Sequence, residues 1–309
     1  MNAAGTGSSP AVVTRLTDIV AAAQLACLLE ASAPKPGNVS PGCRFSDMGY
    51  EDFLASAVAL GEPLRHAAER PVGATIRRAL DATVRWTRAN TNLGMVLLLV
   101  PLVRAAYRRA SRDEGATPGA ESMRSEVRSV LAETTVDDAR EVYAAIRRAA
   151  PGGLGVADEQ DVADEPTQSL VDVMALAAER DDVAREYATG FATTFDVGLP
   201  ALARARHDGL PWDDAVVETF LTLLAARPDT HIARRAGVVA ATEVSACAGQ
   251  AIAAGSVRTA EGRVLIEDMR RDLRAKGSRL NPGTTADLTT AALFVLLVTG
   301  GWPSPQPLS

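Results

Sequence analysis

Apolar residues recur along this chain at intervals of three and four, and nowhere in a convincing strict alternation. Val12, Leu16, Ile19, Val20, Ala23, Cys27 and Leu28 share one side of a helix, because a 3.6-residue period brings positions i, i+3, i+4 and i+7 together. Ser9 is a suitable N-cap and Pro10 a suitable first helical residue, so the spacing predicts a helix from there to about Ser32. Further helices are predicted over about 51–60, with Phe53, Leu54, Ala57 and Leu60 on one face, and over about 72–88. A very apolar helix follows Asn90-Thr91-Asn92 and runs to about Ala110. Residues 112–121 read as a linker, and helices follow at about 121–133, 136–149, 169–194, a short one ending at His207, 211–226, 230–254 and 259–276. The last, apolar again, ends near Thr299. With no strand pattern and no repeat at a fixed period, the sequence predicts an all-α, single-domain bundle of about a dozen helices over 10–300. Residues 1–9 are expected to be disordered and 301–309 to form a tail.

Four polar interruptions of this pattern share a composition. The segments 35–47, 90–94, 229–235 and 281–287 each combine Asn, Thr or Asp with Gly, Pro or a basic residue. The first is the stiffest: Pro34, Pro36 and Pro41 fix φ and restrict the residue before each, with Lys35 held between two of them. Taken singly, the segments are ordinary helix connections and caps, with Asp229 and Asp287 as N-caps. Brought together, they would form a polar cleft of inter-helix loops at one end of the bundle. Helix N-termini and basic side chains bind phosphate, and carboxylates hold a cation on it or take a proton. A nucleotide or polyphosphate substrate is therefore expected. Lys35 is expected to contact phosphate, with Gly37, Asn90, Thr91 and Thr230 also on the substrate. Arg234, Arg235, Asn281 and Gly283 complete that set. Asp229, Asp287 and Asp47 are the candidate catalytic carboxylates, the first two also as ligands for Mg²⁺.

Other chemistries are excluded. There is no GxxxxGK[ST] and no GxGxxG, so neither a P-loop nor a dinucleotide fold is expected. No nucleophile elbow is present. Of the three histidines, His66 and His207 sit among charged helical residues as surface positions, and His231, two residues from Asp229, is a candidate ligand contact. The acidic run 158–165 could hold a hard cation but reads as a solvated loop.

Composition narrows the class. The chain has 309 residues, 47% hydrophobic and only 4% aromatic, so its core is built mostly of Ala, Leu and Val. A net charge of −6 argues against a nucleic-acid surface. Cys27, Cys43 and Cys247 match no zinc spacing and suit a reducing cytoplasm. No signal-peptide pattern opens the chain, and no apolar run reaches the roughly 18 residues of a membrane span. A cytoplasmic protein with small-molecule partners is expected, with no nucleic acid or membrane partner; an oligomer is compatible with the sequence.

These motifs together resemble the triphosphoribosyl-dephospho-CoA synthase family. The resemblance rests on Pro34-Lys35-Pro36-Gly37, Ser46-Asp47-Met48, Phe53-Leu54-Ala55-Ser56, Asn90-Thr91 and Gly152-Gly153-Leu154-Gly155. It continues through Gly198-Leu199-Pro200, Asp229-Thr230, Asn281-Pro282-Gly283 and Ala286-Asp287-Leu288, in the family's order. It implies an all-α transferase that joins ATP to 3′-dephospho-CoA and releases adenine, giving the precursor of the prosthetic group of citrate and malonate decarboxylase carrier proteins. Three departures, over four positions, separate the chain from the decarboxylase-linked pattern. Ser40 stands where those members have Asp, Phe45 where they have His, and Asn92-Leu93 where they have His-Lys. The sequence resembles instead a divergent branch found in archaea and methylotrophs. A related transfer that builds a methanopterin- or methanofuran-type C1 cofactor, and a nucleotide-binding protein without catalysis, are the alternatives.

Overall fold

Alanine- and leucine-rich segments with helical spacing form helices among the described residues. The computed structural model describes residues 16–87, 89, 91–112 and 118–300. In chain order the helices are α1 (Leu16–Ser32), α2 (Tyr50–Ala59), α3 (Gly61–Arg65), α4 (Val72–Val84), α5 (Leu93–Arg112), α6 (Ala120–Ala132), α7 (Val136–Ala149) and α8 (Leu170–Ala177). They continue with α9 (Asp182–Thr189), α10 (Leu199–His207), α11 (Trp212–Ala226), α12 (Thr230–Ala236), α13 (Val238–Ala253), α14 (Ala260–Ala275) and α15 (Gly283–Val298). No β-strand forms among the described residues; an isolated bridge between Ser40 and Cys43 closes a turn after α1.

The last helix is the centre. α15 is buried from Thr284 to Val298 except at Asp287 and Leu297, which are half-buried. A helix that is apolar all round must be covered all round, and α1, α5, α10 and α11 pack about it. Its buried threonines return their hydroxyls to the helix: Thr289 Oγ1 donates to the Thr285 carbonyl at 2.8 Å and Thr290 Oγ1 to that of Ala286 at 3.2 Å. Outside them, α6 packs on α5, α13 on α11, and α7 on α4. Buried apolar side chains from Ile19 to Val298 make one contiguous core.

The departures from the expected helices have local causes. The predicted helix at 169–194 is broken into α8 and α9, because the Asp181 carboxylate caps a new N-terminus, accepting from Val183 N at 2.9 Å and Ala184 N at 3.1 Å. The break expected at 196–200 is instead a π-helical turn, Thr194–Gly198, that runs on into α10. The helix predicted over 230–254 is divided at Gly237, whose φ of +95° no right-handed helix can carry. The short α3 was not expected. The start at Ser9 and Pro10, the N-terminal disorder, Arg88, Asn90, much of the 112–121 linker and the 301–309 tail lie outside the described residues. No described helix is long and apolar enough to cross a membrane.

Candidate functional site

The polar interruptions come together in space. The Asn38 side-chain amide donates to Oδ1 of Asn281, 243 positions away in the chain. Gly37 lies so close to the Asn-Pro-Gly turn that a Cβ on it would stand 2.9 Å from Pro282 Cδ. The hydroxyls of Ser56 and Thr91 share a hydrogen bond of 2.5 Å, which ties α2 to the segment before α5. Thr230 Oγ1 donates to Thr284 Oγ1 at 3.1 Å, joining the start of α12 to the start of α15. These loops, with the glycine-rich segment after α7, wall a cleft of about 1050 Å³.

Two carboxylates meet in its wall. Asp287, one turn into α15, is half-buried and faces the cleft. Gly94, at the N-terminus of α5, backs onto it: a Cβ at Gly94 would stand 1.9 Å from Asp287 Oδ2. Only glycine lets the carboxylate sit there. Glu30, near the end of α1, is 2% exposed and also lines the cleft. Burial, then the charges of Glu30 and Asp229, hold the Asp287 carboxyl well above the ordinary carboxylate range, against a partial offset from Arg234. Burial also raises Glu30, with Lys35 opposing. Cys27, buried one turn before Glu30, is pushed up by desolvation and by both carboxylates.

Four expected site residues support the cleft from behind. Lys35 is 1% exposed. Its ammonium pairs with Glu30 Oε1 at 3.0 Å and donates to the carbonyls of Glu30 and of Ala33, the latter at 3.2 Å. An ammonium has three protons, and all three are taken, so the expected phosphate contact is not made from this position. Asp229, expected as catalyst and metal ligand, is 1% exposed. Its Oδ1 accepts from Ile232 N at 3.0 Å as the N-cap of α12; its Oδ2 accepts from Thr285 N and Oγ1, each at 2.7 Å, at the start of α15. It clamps two helix N-termini. Burial raises its carboxyl despite these bonds. Thr230 and Gly37 likewise pack behind the wall.

The clamp carries a prediction. Asn caps an isolated helix as well as Asp, but one amide oxygen cannot serve both helix starts. Asp229→Asn turns an NH₂ group toward buried donors and is expected to cost about 1–3 kcal/mol, read from urea unfolding. Unchanged stability would show that the shared cap is dispensable.

The other expected residues do face the cleft: Asp47, Thr91, Arg234, Arg235, Asn281 and Gly283. Asn90 lies outside the described residues. Arg234 is ion-paired with Asp181, and Arg147 donates to the Val162 carbonyl at 2.6 Å; Arg180 and Arg235 are exposed on the wall. His231 also lines it, and burial, then Arg234 and Arg235, push its pKa down to about 4, so it is neutral at pH 7. The acidic loop contributes Glu159 and Asp161, the latter accepting from Ala157 N and Ala163 N. No group of three His, Cys, Asp or Glu among the described residues is arranged to hold a metal ion. With both its oxygens bonded, Asp229 does not fit as a Mg²⁺ ligand.

Glu30, Asn38, Arg147 and Arg180 were not anticipated. Glu30 did leave a signal: it falls on the stripe Ile19, Ala23, Cys27, Glu30, a charge where helical spacing calls for an apolar residue. Arg147 sits in the charged end of α7 and Arg180 in the charged turn between α8 and α9, and neither left one.

A family model described as ATP:dephospho-CoA triphosphoribosyl transferase matches residues 16–306. Among curated proteins, one from Pseudomonas paraeruginosa is 33% identical over 123 residues, 38% of this chain and 41% of that protein. One from Stutzerimonas stutzeri is 30% identical over 123 residues, 40% of this chain and 42% of that protein. Both are provisionally named 2-(5''-triphosphoribosyl)-3'-dephosphocoenzyme-A synthase. The match thus spans about two fifths of the length of these relatives. A crystal structure from Archaeoglobus fulgidus, provisionally titled triphosphoribosyl-dephospho-CoA synthase, is 27% identical, with a TM-score of 0.60 over 80% of this chain and 99% of that one.

Proposed function

The chain belongs to the ATP:dephospho-CoA triphosphoribosyl transferase family, and from that we propose that it transfers the triphosphoribosyl group of ATP to a ribose hydroxyl of 3′-dephospho-CoA and releases adenine. The observation that carries the proposal is Asp287, a cleft-facing carboxylate whose pKa is raised beside buried Glu30. In the transfer, the bond from C1′ of the ATP ribose to adenine breaks and a bond from C1′ to the acceptor oxygen forms. The hydroxyl proton goes to ionised Asp287, the departing adenine takes up a proton from solvent, and Asp287 then returns its proton to solvent, so charge and atoms balance over the turnover. A base with a raised pKa is the stronger proton acceptor. Two carboxylates close to C1′ also stabilise the oxocarbenium-like character that develops there.

The triphosphate stays on the transferred sugar and needs a cationic surface. Arg147, Arg180, Arg234 and Arg235 supply it, guanidinium forks being suited to phosphate oxygens. Mg²⁺ would come with ATP, neutralising phosphate charge, and Asp287 is the one expected ligand that faces the cleft. The cysteines are unpaired, in keeping with a reducing cytoplasm.

A second reading keeps the reaction and changes the acceptor. Phe45, Asn92 and Leu93 line the cleft where the decarboxylase-linked pattern has two histidines and a lysine, so this wall carries no cation. Ser40, the remaining departure, is 2% exposed and bonded to Cys43, behind the wall. The test is adenine release from ATP with dephospho-CoA and with pterin and furan acceptors. Release with dephospho-CoA is expected. Release only with another acceptor selects the second reading, and ATP binding without adenine from any acceptor selects a non-catalytic protein.

A further inference from the structure

We propose that Asn38 and Asn281 form the site that reads the adenine of ATP, with Phe45, Met48 and Phe53 against its faces; this rests on the transfer reading above. Asn38 is 7% exposed and lines the cleft, and its Oδ1 is buried without a hydrogen-bond partner. A buried orphan acceptor costs free energy unless something bound there satisfies it. One N–H of Asn38 Nδ2 goes to Asn281 Oδ1, which leaves its second N–H open. The pair therefore offers the Asn38 carbonyl oxygen as an acceptor and its remaining amide N–H groups as donors. An acceptor beside a donor is the complement of adenine, which offers its 6-amino protons beside a ring-nitrogen lone pair. Phe45, Met48 and Phe53 are half-buried, line the same cleft and flank the same loop. Aromatic and thioether side chains suit the faces of a flat base.

The arrangement sets the direction in which ATP lies. Asn281 stands two residues before α15 and Asn38 shares its loop with Lys35, the partner of Glu30. A base held there puts its ribose toward Glu30 and Asp287, and the triphosphate toward the arginines beyond. The bond that breaks joins this base to C1′, so the asparagines also hold the leaving group while the carboxylates act on the sugar.

The experiment compares ATP with ITP, in which a 6-oxo group replaces the amino group and N1 carries a proton, reversing the pattern on that edge. Calorimetry with the full chain and each nucleotide alone is expected to show a preference for ATP of roughly 5- to 150-fold, the range for a bidentate contact to a base. Asn38→Ala and Asn281→Ala should bring the ratio near unity, and Phe45→Ala should weaken both nucleotides alike. Equal affinity of the unaltered protein for ATP and ITP overturns the assignment, and that comparison needs no variant to fold. A full preference retained in both folded asparagine variants overturns it too. So does a preference abolished by added dephospho-CoA, which would make this the acceptor's base site. Equal affinities with continuing adenine release leave the transfer standing, whereas no binding of ATP at all removes both readings.

Discussion

Asp287→Asn is expected to lower adenine release by at least about 10²-fold, the lower range for a general acid–base group, while the protein melts at a higher temperature than the unaltered one at neutral pH. The two effects have one cause. The fold raises the Asp287 carboxyl through burial and the neighbouring charges of Glu30 and Asp229, so the folded state disfavours its ionised form. For a carboxyl raised in the folded state, the stability it contributes is fully present below its ordinary value and is lost as pH rises through the raised one. Asparagine has nearly the same shape, carries no charge and accepts no proton. The variant should match the unaltered protein in acid and gain on it as pH rises. A group that is stability-neutral and catalytically silent when amidated would show Asp287 to be a bystander. A destabilised variant would show that the charge itself holds the start of α5.

Lys35→Met is expected to cost about 3–5 kcal/mol, the usual penalty for removing one partner of a buried ion pair. Glu30 would be left buried with no counter-charge, and the carbonyls of Glu30 and Ala33 would each lose one of their two donors, keeping the backbone N–H of Ala33 and of Lys35 respectively. Urea unfolding reads the loss. Adding Glu30→Gln to Lys35→Met should recover part of it, because the orphaned charge goes with the substitution. If Lys35→Met keeps its stability and instead loses ATP affinity, the lysine reaches phosphate, as its place between two prolines suggested.

Lys35 and Asp229 show where sequence reasoning stops. Both were identified as important, and both proved to be buried members of hydrogen-bonded clusters rather than groups on the cleft. A motif records that a residue is constrained, not which way its side chain faces. For Lys35 the deciding fact is that α1 ends within reach of its ammonium; for Asp229 it is that α15 starts beside α12. Those are tertiary contacts, with 56 residues between Asp229 and Thr285. The helices were legible because their apolar spacing is local, and the all-α class followed from it. The breaks between α8 and α9 and between α12 and α13 were missed because a capping side chain and a single glycine override a continuing apolar pattern. The convergence of the polar segments was legible in kind, since each combined helix-start residues with charge. Of the residues that join the cleft from α1 and α7, Glu30 was marked only by a charge on an apolar stripe, and Arg147 comes from the charged end of a helix, where nothing in the local sequence separates a cleft residue from a surface one.

The most direct test is the mass of the acceptor after a single turnover of the unaltered protein with ATP and dephospho-CoA, followed in parallel for Asp287→Asn. Dephospho-CoA is expected to gain one triphosphoribosyl group, one adenine to appear for each acceptor modified, and the variant to give neither on the same timescale. A product carrying only phosphate or an intact nucleotide, with ADP, phosphate or pyrophosphate in place of adenine, would contradict the proposed transfer.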